Sequence, residues 1–366
     1  MPIACPRSTP LLVSFLLLFA LAACQPVAAD PSPATPTATV LLPTHTPSPT
    51  PRPILPTLSP TFEVTKTVVA EADRRVTLMA VGDIMLARTI GERIETEGAE
   101  TPFTFTAETL SSADITVGNL ECAISTRGTP EEKSYTFEAP LSAAQSLAFA
   151  GFDVVSLANN HVLDYGLPAL EETLSTLNAN GIAAVGAGLD ERAAYRPVFM
   201  DVNGLRIAFL AFADVSTIDY DYLAWQAGPD SPGIAWAHPE QVEQSVRAAK
   251  AEADLVVVLV HNGVEMMQRV YEPQQTLAHL AIDSGAALVI GSHPHVLQRI
   301  EAYNGGLIAY SMGNFVFDNM LFPPNYSAIL SVTLTPEGVA SYELVDVIVQ
   351  LNGVPQIMEY DLENYP

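Results

Sequence analysis

The sequence predicts an α/β layered domain, and three observations carry that prediction. Short, almost wholly apolar runs recur from Val76 onward, as buried parallel strands do. Amphipathic stretches of helical length lie between them, and Gly151, Gly181 and Gly285 follow three of these as stop signals. Polar residues gather just after the apolar runs, where α/β sheets bind their ligands.

Taken in order, strands are expected at Val76–Val81, Ile115–Val117, Val154–Leu157, Ala183–Val185, Arg206–Phe212, Leu255–Val260, Ala287–Ile290 and Leu307–Tyr310. Helices are expected at Leu141–Ala150, Leu167–Asn180, Pro239–Ala253 and Pro273–Ser284. Ala328–Leu334 and Tyr342–Val349 read as antiparallel strands joined by Pro336-Glu337-Gly338. No internal repeat is visible. The folded domain is expected over 73–352, with 353–366 as a tail.

Ahead of the domain the pattern changes. Arg7 precedes an apolar run, Leu11–Ala20, which is short for a spanning helix and fits the core of a signal peptide. Leu21-Ala22-Ala23-Cys24 then resembles a bacterial lipobox, so residues 1–23 read as a leader and Cys24 as the lipidated first residue. Residues 24–72 are rich in Pro, Thr and Ser, as in Thr46-Pro47-Ser48-Pro49, and lack the apolar residues a core needs. They read as a disordered linker. The protein is thus expected outside the cytoplasm, held on a membrane of the cell envelope by its lipid.

The 366-residue chain carries a formal charge of -25, which argues against a nucleic-acid partner, since phosphate backbones require clustered Lys and Arg. It has three cysteines, Cys5, Cys24 and Cys122. Removing the leader and acylating Cys24 leaves Cys122 with no partner for a disulfide.

The polar clusters have coherent chemistry. Gly82-Asp83, Asn119-Leu120-Glu121, Asn159-Asn160-His161 with Asp164, His261-Asn262-Gly263 with Glu265, and Ser292-His293-Pro294-His295 each follow a predicted strand. His238 and His279 fall on or beside helices instead. Imidazole, carboxylate and amide together suit Zn, Mn or Fe, and the lack of thiolates argues against a structural zinc. If His293-Pro294-His295 continues the strand in extended form, both rings point to one side and face one metal pair. Either Glu121 or Asp83 offers a bridging carboxylate. Arg88, just past the aspartate loop, is either a holder of a substrate anion or a solvated helix residue.

As a set, Gly82-Asp83-Ile84-Met85-Leu86, Asn119-Leu120-Glu121, Asn159-Asn160-His161 with Asp164-Tyr165-Gly166, His261-x-Gly263-x-Glu265, Gly291-Ser292-His293-Pro294-His295 and Tyr310-Ser311-Met312-Gly313-Asn314-Phe315 resemble the CapA family. That family is associated with poly-γ-glutamate capsule synthesis and is similar in fold to the calcineurin-like metallophosphoesterases. The resemblance implies a four-layer α/β/β/α sandwich of the metallo-dependent phosphatase type and a centre for two divalent ions. It implies Asp83, Asn160, His261, His293 and His295 as metal ligands, with Asn119 or Glu121 between the ions. It implies His161 as general acid, supported by Asp164. Met85 stands where the broader superfamily has a histidine ligand, and Asn262 where CapA proteins commonly have Trp. Two functions are compatible with these residues. One is metal-dependent hydrolysis of a phosphoester or a capsule-polymer bond. The other is a non-catalytic part in a polymer export or anchoring complex, with capsule polymer and envelope proteins as partners.

Overall fold

Two long strands show how the layers form. In Leu205–Asp214, residues Ile207, Phe209, Ala211 and Ala213 enter one apolar cluster, while Ala208, Leu210 and Phe212 enter another. In Leu255–Asn262, Val257 and Leu259 join the first cluster and Val256, Val258 and Val260 the second. Side chains alternate across a strand, so a strand apolar at every position is covered on both faces. A computed structural model of the chain describes residues 74–215, 220–318 and 321–358.

These strands belong to a six-stranded sheet ordered Ile300–Tyr303, Gly306–Ala309, Leu288–Ser292, Leu255–Asn262, Leu205–Asp214, Val198–Val202. One face meets helices Pro239–Glu252 and Glu272–Asp283 through Val242, Val246, Leu277 and Ala281. The other face shares its core with Leu78, Ala80, Ile115 and Val117 of a second sheet. That sheet runs Pro355–Ile357, Gly338–Val349, Tyr326–Thr335, Val76–Ile84, Ile115–Leu120, Val154–Ser156, Ala183–Val185, with Asn314–Val316 paired to the end of Val76–Ile84. Helices Ala143–Phe149 and Leu167–Ala179 bury Leu147, Leu170 and Leu177 in the same cluster. The result is the expected α/β/β/α sandwich.

All the predicted apolar strands and helices are present, most ending within two residues of the expected bounds. Among the additional elements are helix Arg88–Glu97 and strands Val198–Val202, Ile300–Tyr303, Asn314–Val316 and Pro355–Ile357. The last pairs with Val347–Val349, so the fold runs past the boundary expected at 352. The leader at 1–23, Cys24 and the linker at 24–72 lie outside the described residues. Among the described residues no helix is long and apolar enough to cross a membrane.

Candidate metal centre

The register of the strands assembles the site. Asp83 on Val76–Ile84 lies opposite Asn119 on Ile115–Leu120, and Asn119 lies opposite Ser156. In the other sheet His261 lies opposite Ser292, one residue before His293. The carboxyl ends of both sheets' central strands therefore meet. The approach is close at Gly82, where a Cβ would stand 1.8 Å from the Gly313 carbonyl oxygen. The same carbonyl accepts the Asp83 N–H at 2.9 Å. Only glycine at 82 lets the two segments come together there.

Within the first sheet's contribution, Asn119 is a brace. Its Nδ2 lies 2.9 Å from Asp83 Oδ1, 3.2 Å from Glu121 Oε2 and 3.1 Å from His261 Nδ1. Its Oδ1 accepts from Asn159 Nδ2 at 3.0 Å. Both ends of the amide are engaged, whereas Glu121 Oε1 is buried with no hydrogen-bond partner among the described residues. Asn159 caps its own loop, accepting from the N–H groups of His161 and Val162 at 3.0 Å each. Asn160 places its Oδ1 2.8 Å from His261 Nε2.

The second sheet contributes three imidazoles. His261 Nδ1 lies 2.8 Å from Ser292 Oγ and 3.8 Å from Asp83 Oδ1. The expectation of an extended His-Pro-His end is corrected: the strand stops at Ser292, and His293 and His295 have φ of 95° and 58°. Two left-handed residues around a proline turn the chain sharply, and this turn rather than strand alternation brings the rings to 6.0 Å. The His293 N–H donates to Asp83 Oδ2 at 3.3 Å, while His293 Nδ1 is buried without a partner among the described residues. His295 Nδ1 lies 3.2 Å from Asp83 Oδ2 and 2.9 Å from Asn314 Oδ1.

Beside these groups lies a dyad. His161 Nδ1 is 2.7 Å from Asp164 Oδ2, and His161 Nε2 is 3.9 Å from Glu121 Oε1. The Phe137 ring stacks on the imidazole at 4.1 Å, and its N–H donates to Asp164 Oδ2 at 2.7 Å. Lys133 Nζ donates to Asp164 Oδ1 and to the Asn160 carbonyl, both at 2.6 Å. Arg88 ion-pairs with the buried Asp318 and lies 4.8 Å over the Phe137 ring. Its guanidinium is thus anchored beside the dyad. Met85 is buried, and its sulfur accepts the Ala87 N–H at 3.2 Å.

The electrostatics are those of a cation site. Burial opposes charge on Asp83, but the hydrogen bond and charge of His295, then the charge of His261, hold its carboxyl well below the ordinary range. Burial, then the neighbouring Asp83, pushes Glu121 well above its usual value. Burial drives His261 down to about 3, and keeps His293 and His161 well below theirs, with Lys133 adding to the effect on His161. Burial opposes charge on His295 as well, but the hydrogen bond and charge of Asp83 hold its proton affinity above the ordinary value. Neutral imidazole and carboxylate are the forms a divalent ion binds, so binding at His295 displaces a proton. Ligand atoms of Asp83, Glu121 and His261 lie within 4.8 Å of one another, as do those of Glu265, His293 and His295. One residue of each group, Glu121 and His293, also carries a buried polar atom with no hydrogen-bond partner among the described residues, so these residues fit metal ions.

A cavity of about 620 Å³ opens over the centre, walled by Asn160, His161, His293, Glu265, Lys133 and Tyr271 among others. Lys133 and Asn314 were not among the candidates read from the sequence. Asn314 sits in the Ser-Met-Gly-Asn-Phe motif, which marked it without giving it a role. Lys133 carried no signal, because its segment has no periodicity and meets Asp164 only through the fold.

The profile of a family described as bacterial capsule synthesis protein PGA_cap matches residues 77–319. The chain is 33% identical over 270 residues to the PGA biosynthesis protein CapA of Bacillus subtilis, covering 73% of this chain and 70% of that protein. It is 31% identical over 296 residues to the capsule biosynthesis protein CapA of Bacillus anthracis, covering 78% of this chain and 70% of the other. Matched across the span that builds the whole centre, the chain belongs to the PGA_cap family of bacterial capsule synthesis proteins.

Proposed function

We propose that this protein is a metal-dependent hydrolase acting on a phosphoester or a capsule-polymer bond, exported and tethered to a membrane by lipid on Cys24. The observation that carries the chemistry is the His161–Asp164 pair, whose free ring nitrogen faces Glu121 at 3.9 Å on the wall of the cavity. Asp83, Glu121, Asn160, His261, His293 and His295 would hold divalent ions, which supply charge stabilisation and acidify water. Asp164 accepts the Nδ1 proton of His161 and so fixes the ring, leaving Nε2 to hand a proton to the leaving group. An anionic substrate beside Nε2 raises the proton affinity that burial lowers. Lys133 holds Asp164 and the Asn160 carbonyl in place. Phe137 and Phe317 cover the imidazoles of His161 and His295 and keep solvent off one side. The relatives' names support a link to capsule and poly-γ-glutamate synthesis.

The second reading, a non-catalytic component of a polymer export or anchoring complex, draws on Met85. Its sulfur faces the Ala87 backbone, so that position offers the centre no nitrogen. One assay separates the two. The full chain in detergent, loaded with Mn, is offered phosphomonoesters, phosphodiesters and γ-glutamyl polymer. Hydrolysis that falls about 10²–10⁴-fold in His161→Ala supports the enzyme. Stoichiometric metal with no turnover on any of the three favours the assembly role. The tether is tested separately: Cys24→Ala is expected to leave the membrane fraction, and its retention there would refute lipidation.

A further inference from the structure

The centre contains one carboxylate that the superfamily resemblance does not assign. We propose that Glu265 is a metal ligand, holding with His293 and His295 an outer ion that faces the cavity. This rests on the metal-centre reading above and adds a residue to it.

Three observations carry the assignment. A carboxylate oxygen of Glu265 and one nitrogen from each of His293 and His295 lie within 4.8 Å of one another. His293 is 2% exposed, and its Nδ1 has no hydrogen-bond partner among the described residues. Such an atom is costly to bury and is expected to have an unseen ligand. The backbone of the Glu265 loop is also fastened to the His-Pro-His turn. The Met266 N–H donates to the Pro294 carbonyl at 2.8 Å, and Gln298 Nε2 donates to the Met267 carbonyl at 2.7 Å. Gln274 Nε2 holds the Asn262 carbonyl at 3.1 Å, and a Cβ on Gly263 would meet that amide at 2.5 Å. The loop is pinned on both sides of Glu265, which holds the carboxylate beside the turn.

Glu265 differs from the other ligands in exposure. Asp83, Glu121 and His261 are at most 1% exposed, whereas Glu265 is exposed on the cavity wall. The centre is therefore unequal: a buried position at Asp83, Glu121 and His261, and an outer position with one solvent-facing carboxylate. The outer ion exchanges more easily and is the one a substrate anion in the cavity meets first.

The test is equilibrium Mn binding to the full chain, with bound metal quantified directly. Wild type, Glu265→Gln and His261→Ala are compared, with tryptophan fluorescence confirming that each is folded. Wild type is expected to show a tight and a weaker class of Mn. Glu265→Gln should lose the weaker class or weaken it at least about 100-fold, since even indirect partners of a metal contribute 10–100-fold. His261→Ala should lose the tight class. A Glu265→Gln isotherm that superimposes on wild type overturns the assignment while the centre stands. Wild type that takes up no Mn overturns the centre itself.

Discussion

Replacing Asp164 by Asn strands a buried lysine, and the cost can be worked out. Lys133 and Asp164 side chains are 3% and 0% exposed, and their 2.6 Å pair is the only ionic contact Lys133 makes among the described residues. Burial raises the Asp164 carboxyl to about 7 against the pull of Lys133, so at pH 8 the carboxylate is mostly ionised. With Asn at 164 the ammonium keeps the Asn160 carbonyl and the rings of Tyr222 and Trp225 at 4.8 and 5.0 Å, but loses its one ion-pair partner among the described residues. The lysine can escape the penalty by releasing its proton. From an ordinary value of about 10.4, doing so at pH 8 costs about 3 kcal/mol, which caps the lysine's share of the destabilisation. Burial already lowers the folded-state value of Lys133. The folded state thus holds fewer protons than the unfolded one, and stability rises with pH. The cap falls to about 2 kcal/mol at pH 9. Urea unfolding of Asp164→Asn, Lys133→Met and the double variant reads this through Trp225 and Trp236, both buried. The double variant should be less damaged than the two singles combined. Additive losses, or a penalty for Asp164→Asn that does not shrink between pH 8 and pH 9, would refute the argument.

Gly82→Ala drives a methyl into the Gly313 carbonyl and should destabilise the fold by on the order of 3 kcal/mol, measured by the shift in the urea midpoint. Asn314→Ala frees His295 Nδ1 and should weaken Mn binding about 10–100-fold in equilibrium dialysis, with little change in far-UV circular dichroism. Phe209→Ala opens a cavity between the two sheets, where the ring is fully buried, and should cost about 3–5 kcal/mol in urea unfolding.

Much of this fold was legible because its central strands are apolar on both faces. Val256 to Val260 needs no partner information to be read as buried. The strands that escaped notice are short, peripheral or half-wet: Val198–Val202 and Ile300–Tyr303 lie at opposite edges of the six-stranded sheet and are only partly buried. A helix was read at Arg88, but its extent to Glu97 was hidden because no side chain caps its start and its residues are mostly polar. The metal-centre residues were legible as clusters after strands. Their backbone was not, since nothing local in His293-Pro294-His295 distinguishes a left-handed turn from an extended end. The turn is imposed by contacts that reach across the chain, from Asp83 to the His293 N–H and from Asn314 to His295.

The meeting of two sheets at one centre has a consequence for how the protein reaches its native state. Asp83 and His293 are 210 residues apart in the chain, Asn119 and His261 142, and Asn160 and His261 101. No βα unit carries a complete set of these groups, so a half-folded chain has no partial centre to stabilise it. Closing such long loops loses entropy before any contact repays it, and folds dominated by distant pairings form slowly. The apolar faces of the sheets must dock first and the polar ends align last. A refolding chain should regain its tryptophan environment before it regains affinity for Mn, and the lag between the two measures the time spent with the core closed and the centre unmade.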